Sequence, residues 1–191
     1  MNTKALIIAL AAMGVSASAL GQNFVVNGSF EDPADGSLPT DCVDSGNWFY
    51  CPSADVPGWD VTWNGSYETG MPGNLEFQTA PTIGDVDPQD GDQYAELATA
   101  PGTAGTDDRQ VEISQSVTVD CVLDVYTLSF YASQRNSLGE LEVTYDGTTV
   151  TPGIGAGWTL FEYDFQPTDF TFDIAFAEVG DGVTTIGTLL D

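Results

Sequence analysis

The sequence predicts an all-β chain folded as a two-sheet antiparallel β-sandwich of the jelly-roll type. Past the first 21 residues, apolar side chains recur at every second position, as they do on strands with one buried face. Gly, Pro, Asp and Thr break these runs at short intervals. No stretch keeps the period of an amphipathic helix. Short strands separated by turn signals at this density are the pattern of a sandwich.

Residues 1–21 read as an export signal, cleaved and not part of the fold. Lys4 precedes an apolar run from Ala5 to Val15, too short for a stable membrane span, and small residues then offer cleavage sites at Ala17-Ser18-Ala19 or Ala19-Leu20-Gly21. Residues 22–191 suffice for a single domain with a real core. Phe24, Val25 and Val26 form a short apolar strand that runs into Asn27-Gly28-Ser29-Phe30-Glu31-Asp32, a turn offering carboxylates. Residues 32–56 and 79–93 are the least strand-like, and 99–108 form a flexible connector. Val111, Ile113, Val117 and Val119 then share one strand face, interrupted by Gln115. Tyr126, Leu128, Phe130 and Ala132 mark the next strand, and Leu141, Val143 and Tyr145 a third, ended by the hairpin signal Asp146-Gly147. Phe161, Tyr163 and Phe165 alternate with acids, and Phe170, Phe172, Ile174 and Phe176 follow. The inward aromatics build the core.

The chain carries 29 acidic residues and a formal charge of −26. Once Lys4 leaves with the signal, only Arg109 and Arg135 remain as cations. Such a surface excludes nucleic acid and anionic lipid as direct partners. It also repels acidic polysaccharides unless divalent cations bridge the two, and it suits a salty medium, where screening shortens the repulsion. Three cysteines sit in this exported chain. Cys42 and Cys51 enclose a short segment that an oxidising compartment would close as a disulfide. Cys121 is left over, either a buried free thiol or a handle for a second chain; the sequence leaves the oligomeric state open.

Catalysis has little to work with. There is no histidine, so Ser-His-Asp, Cys-His and histidine-metal arrangements are absent, and the exported part has no lysine nucleophile. The expected activity is therefore binding. The segment between Cys42 and Cys51 holds Trp48, Phe49 and Tyr50, and a stapled loop lowers the ordering cost of presenting rings to a ligand. Sugar rings stack their C–H faces on aromatics, and their hydroxyls need carboxylate, amide or Arg partners. Trp63, Asn64, Tyr67 and Glu68 form a second cluster of this kind. Arg135 either pairs with Glu76 or Glu96 or donates to sugar hydroxyls. The carbohydrate-binding candidates are thus Trp48, Tyr50, Trp63, Tyr67 and Arg135, placed in loops at one end of the sandwich. Asp85 to Asp92 departs from the EF-hand pattern at Pro88 and Gln89 and reads as a turn.

Asn27-Gly28-Ser29-Phe30-Glu31 near the start and Gly187-Thr188-Leu189-Leu190-Asp191 at the close resemble the first and last motifs of galactose-binding-domain-like jelly rolls. Between them, Pro57-Gly58-Trp59, Asn74-Leu75-Glu76-Phe77, Asp90-Gly91-Asp92-Gln93-Tyr94-Ala95-Glu96-Leu97, Ile113-Ser114-Gln115 and Tyr126-Thr127-Leu128-Ser129-Phe130 match in order and spacing. The chain most resembles the plant cell-wall domain of unknown function 642 and bacterial choice-of-anchor secreted proteins. The resemblance makes Trp59 and Trp158 core residues. It implies a structural calcium ion tying the first motif to the last strand through Glu31, Asp191 and main-chain carbonyls, with Asp32 as a possible substitute. Carboxylates on neighbouring termini repel each other until a cation joins them, and calcium takes six to eight oxygens. The resemblance also implies one more strand past Asp191, and the absence of a sorting tail implies a freely secreted product. Together these expectations describe a secreted, non-catalytic sandwich that binds neutral or calcium-bridged acidic polysaccharide. A surface or matrix module, or a subunit of a larger assembly, is the competing expectation.

Overall fold

A computed structural model describes residues 6–7, 22–64, 70–79, 86–98, 110–135, 140–179 and 187–191. In chain order the strands are β1 (Leu6–Ile7), β2 (Val43–Asp44), β3 (Trp48–Pro52), β4 (Asp60–Trp63), β5 (Asn74–Thr79), β6 (Gln93–Glu96) and β7 (Val111–Thr118). They continue with β8 (Tyr126–Gln134), β9 (Glu140–Tyr145), β10 (Thr148–Val150), β11 (Thr159–Phe165), β12 (Thr171–Val179) and β13 (Thr188–Leu190). One 3-10 turn, Ser53–Asp55, separates β3 from β4.

The strands form two sheets. The larger runs β8-β13-β6-β5-β3-β2, with β11 and β1 also on β8, and the smaller runs β10-β9-β12-β7-β4. Among the described residues every strand pairing is antiparallel except that of β1, whose Leu6 and Ile7 pair in parallel with Leu128 and Ser129. Those two residues lie inside the segment read as an export signal.

Period-two alternation explains the layering. Leu75, Phe77 and Ala95 of one sheet meet Val111, Ile113, Val117, Val143 and Phe176 of the other in one buried cluster. Gln115, the residue that interrupts the β7 pattern, points inward as well and is 8% exposed. Its Nε2 donates to the carbonyls of Val26 and Gly58, and its Oε1 accepts from Val26 N at 2.8 Å, so the polar interruption fastens the N-terminal segment to the sheet. Asp146 and Gly147 take φ values of +45° and +74°, which close the tight β9–β10 hairpin.

Several expectations need correction. Phe170 is 54% exposed, because it precedes β12 and lies outside its alternation. Segment 32–56 is not simply loop, since β2 and β3 lie within it. Cys121 is the free cysteine, as expected, but it is half-buried rather than buried. The connector 99–108 lies outside the described residues.

Candidate functional site

The site is built on the outward face of the larger sheet. Phe49 and Cys51 of β3, Leu75 and Phe77 of β5 and Ala95 of β6 point into the core. Their neighbours Trp48, Tyr50, Glu76, Gln78, Tyr94 and Glu96 therefore point the other way. Register places them in two rows: Tyr50 opposite Glu76 opposite Glu96, and Trp48 opposite Gln78 opposite Tyr94. The Cys42–Cys51 disulfide, present as expected, ties the entry of the β2–β3 hairpin to the core end of β3. Above it the Trp48 and Tyr50 rings stack on each other, 6.0 Å between centroids and 22° apart in plane, and both are half-buried.

Beside this aromatic shelf lies a buried polar row. Gln78 Nε2 donates to Glu76 Oε1 at 2.6 Å and to Glu96 Oε2 at 2.8 Å. Arg135 Nη1 donates to Glu96 Oε2 at 2.7 Å, and Gly187 N donates to Glu96 Oε1 at 2.9 Å. Glu96 is fully buried and Glu76 is 5% exposed. Burial, with the adjacent Glu96 charge, pushes Glu76 up to about 9, and its carboxyl hydrogen-bonds Glu96. Burial also raises Glu96, against which the Arg135 charge acts first, then the Gly187 N–H. Glu76 is therefore a neutral acid at pH 7, and Glu96 is the carboxylate that faces the guanidinium. Of the two partners the sequence offered Arg135, the ion pair is with Glu96.

Part of the cover over this face comes from the stretch before β11. Trp158, expected in the core, is half-buried here instead: its ring meets Tyr94 edge-on at 5.3 Å and its Nε1 donates to Asp87 O. The residue precedes β11, so it stands outside the alternation that would have turned it inward.

Other candidates fall elsewhere. Trp63 is 7% exposed and belongs to the core cluster, because Val61 and Trp63 share the inward face of β4 while Asp60 and Thr62 alternate with them. It offers no ring to a ligand. Tyr67 lies outside the described residues. Trp48 and Tyr50 sit on a strand, not on an end loop, so the platform belongs to a sheet face. Trp59 is core, stacked on Phe30 at 5.6 Å.

The terminal motifs converge on the 89–93 turn. Asn27 clasps the first loop through its side chain, accepting from Asp32 N and donating to Asp32 O and Pro57 O. That presents Glu31, whose Oε1 accepts from Asp92 N at 3.0 Å and Gln93 N at 3.1 Å. Gly91, at φ +68°, packs so closely that a Cβ there would collide with the Glu31 carboxylate. At the other end of the turn, Asp191 Oδ2 accepts from Gln89 N at 2.5 Å and Asp90 N at 3.1 Å. Asp191 is fully buried, and its Oδ1 has no hydrogen-bond partner. Burial pushes its carboxyl up to about 7, with the Asp90 and Glu31 charges adding to the rise against the two N–H donors. Glu31 is likewise raised by burial. Asp32 is exposed. Among the described residues no three Asp, Glu, Cys or His side chains gather as a ready-made cation cage. No helix among them is long and apolar enough to cross a membrane.

No family model matches the chain, and no curated protein does. Solved structures do. A family 61 carbohydrate-binding module, TmCBM61, in complex with β-1,4-galactotriose is 16% identical, covering 71% of this chain and 85% of its own, with a TM-score of 0.47. A family 4 carbohydrate-binding module is 20% identical over 87% of this chain and 94% of its own, with a TM-score of 0.40. The enzymatically active domain of bacteriophage CBA120 tailspike protein 4 is 13% identical over 70% of this chain but only 18% of its own, with a TM-score of 0.43. None of these likenesses identifies a ligand for this chain.

Proposed function

We propose that the protein is a secreted, non-catalytic β-sandwich that binds polysaccharide on the outward face of its larger sheet. The observation that carries this reading is the stacked Trp48–Tyr50 pair, set by a disulfide-closed hairpin beside a row of buried carboxyl, amide and guanidinium groups. An apolar shelf next to fixed hydrogen-bonding groups suits a pyranose ring, which has C–H faces and a hydroxyl edge. Glu76 and Glu96 are hydrogen-bonded to each other.

The test is a glycan array run with calcium and with chelator. Trp48→Ala should weaken binding to the captured glycan by roughly 1–3 kcal/mol, by analogy with base stacking on aromatics, and cost about 1–2 kcal/mol of stability for its stacking on Tyr50. Trp63→Ala should instead cost about 3–5 kcal/mol of folding free energy, as a large core residue does. If both variants lose folding stability alike, measured by urea denaturation, Trp48 is packing and the sugar shelf does not exist.

The residues at the 89–93 turn also fit a structural calcium ion. Asp191 Oδ1 is a buried carboxylate oxygen with no donor, and Glu31 stands close enough to raise the Asp191 pKa by its charge. Asp191 and Glu31 would hold the ion, with main-chain carbonyls completing the six to eight oxygens that calcium takes. The ion would join the first motif to the last strand by neutralising two acids that repel. Calcium at 100-fold excess over its dissociation constant should stabilise the fold by about 2.7 kcal/mol. Melting curves in calcium, magnesium and chelator read this directly: Glu31→Gln should abolish a calcium-specific rise, and identical curves in all three would end the proposal.

A further inference from the structure

We propose that Gln78 reads the glycan: its buried side-chain carbonyl accepts a hydroxyl from a sugar stacked on Trp48, and the oxygens around it select uncharged glycans over uronic acids. The inference rests on the carbohydrate reading above. It starts from the orientation of one amide. Gln78 Nε2 donates to carboxyl oxygens on both sides, Glu76 Oε1 and Glu96 Oε2. Flipping the amide would set its carbonyl against those two acceptors, so the orientation is fixed by its partners. The carbonyl oxygen Oε1 therefore points away from the pair, and it finds no donor although the residue is only 1% exposed. Buried acceptors are nearly always satisfied, and a lone one on a polar face beside an aromatic shelf marks a place where a donor arrives.

The neighbours say which donor. Trp48 is the direct cross-strand partner of Gln78. Directly opposed side chains start roughly 5 Å apart, about the width of a sugar ring. A pyranose lying on the Trp48 ring thus brings its edge hydroxyls towards the Gln78 side chain. A hydroxyl both donates and accepts, so it satisfies Oε1. A uronate carboxylate only accepts. It would meet Gln78 Oε1, Glu76 and the Glu96 carboxylate, with Arg135 Nη1 already engaged by Glu96. The chain's formal charge of −26 opposes it further.

The experiment uses the whole exported chain, labelled with 15N, in chelator. Oligosaccharides of neutral galactan, glucan, mannan and xylan and the acidic trigalacturonate are titrated in, and the Gln78 side-chain amide signal, assigned through bonds, is followed. A neutral oligosaccharide should shift that signal on saturation, and Gln78→Leu should weaken its binding by about tenfold or more, the loss of one buried hydrogen bond. Trigalacturonate should bind at least about tenfold more weakly than the neutral sugar. The signal shift in the unsubstituted protein decides the matter even if Gln78→Leu folds poorly. Suppose a neutral sugar binds and Trp48→Ala weakens that binding, yet the Gln78 signal stays still. Then the role of Gln78 is wrong and the carbohydrate reading stands. Equal binding of trigalacturonate overturns the selectivity. Binding of none of the sugars overturns the carbohydrate reading and this inference with it.

Discussion

Arg135→Met is expected to destabilise the fold by about 3–5 kcal/mol at pH 8, the cost of leaving a buried carboxylate without its cation. Glu96 is fully buried, and Arg135 lies at 2.7 Å with its own side chain 15% exposed. Such a pair contributes little against a well-packed apolar substitute for both partners, but removal of one partner exposes the full desolvation cost of the other. The remaining donors to Glu96, Gln78 Nε2 and Gly187 N, are neutral and replace only part of the guanidinium field. Burial already raises Glu96, and loss of Arg135 raises it further. Protonation would then relieve the strain, so the loss should shrink as pH falls towards 5. Urea denaturation of both proteins at pH 5 and pH 8 measures it, with Arg135→Lys keeping the charge as a control. A loss below about 1 kcal/mol at pH 8, the range of an exposed ion pair, would show that Glu96 is not a buried carboxylate.

The parts of this molecule that were legible in the sequence are those where the two faces of a strand differ in polarity. β9 and the inward side of β12 alternate cleanly, and their register follows. β3 did not show itself as a strand because both of its faces are apolar: Phe49 and Cys51 enter the core while Trp48 and Tyr50 line the opposite face. Alternation cannot be seen in a run without polar members. The inward position of Trp63 was written in the sequence, since Asp60-Val61-Thr62-Trp63 does alternate. Its neighbours Asn64 and Glu68 suggested a ligand cluster and outweighed that signal. Glu76, Gln78 and Glu96 had the opposite problem. In Leu75-Glu76-Phe77-Gln78 the polar residues read as the solvent-facing half of a strand, and nothing local tells that this face is covered. Trp158, which meets Tyr94 on that face, lies far along the chain from it. The turn at 89–93 was legible as an Asp-Gly turn. That it gathers Glu31 and Asp191 follows only from closing the sheet through β13 and β6.

Glu76→Gln is expected to stabilise the protein at neutral pH and to leave it nearly unchanged near pH 4. Glu76 titrates at about 9 in the fold, against 4.5 for an ordinary glutamate, because burial and then the Glu96 charge disfavour its ionised form. Between those two values the unfolded chain has released the proton and the folded chain still holds it. Folding then takes up a proton, so stability from this group falls as pH rises, by about 1.4 kcal/mol per unit. The decline begins near pH 4.5 and levels off above the folded value of about 9. At pH 7 the penalty reaches up to about 3 kcal/mol. Glutamine does not titrate and so removes the penalty. Its amide keeps the local bonds, since its carbonyl can accept from Gln78 Nε2 and its NH2 can donate to Glu96 where the carboxyl proton did. Acids outside the Glu76–Glu96 pair titrate alike in both proteins, so the difference between them reports that pair. Urea denaturation at pH 4, 7 and 9 should show a gap that opens with pH in favour of the variant. A gap of the same size at pH 4 and pH 7 would mean that Glu76 ionises at its ordinary value, and that the proton shared between Glu76 and Glu96 is absent.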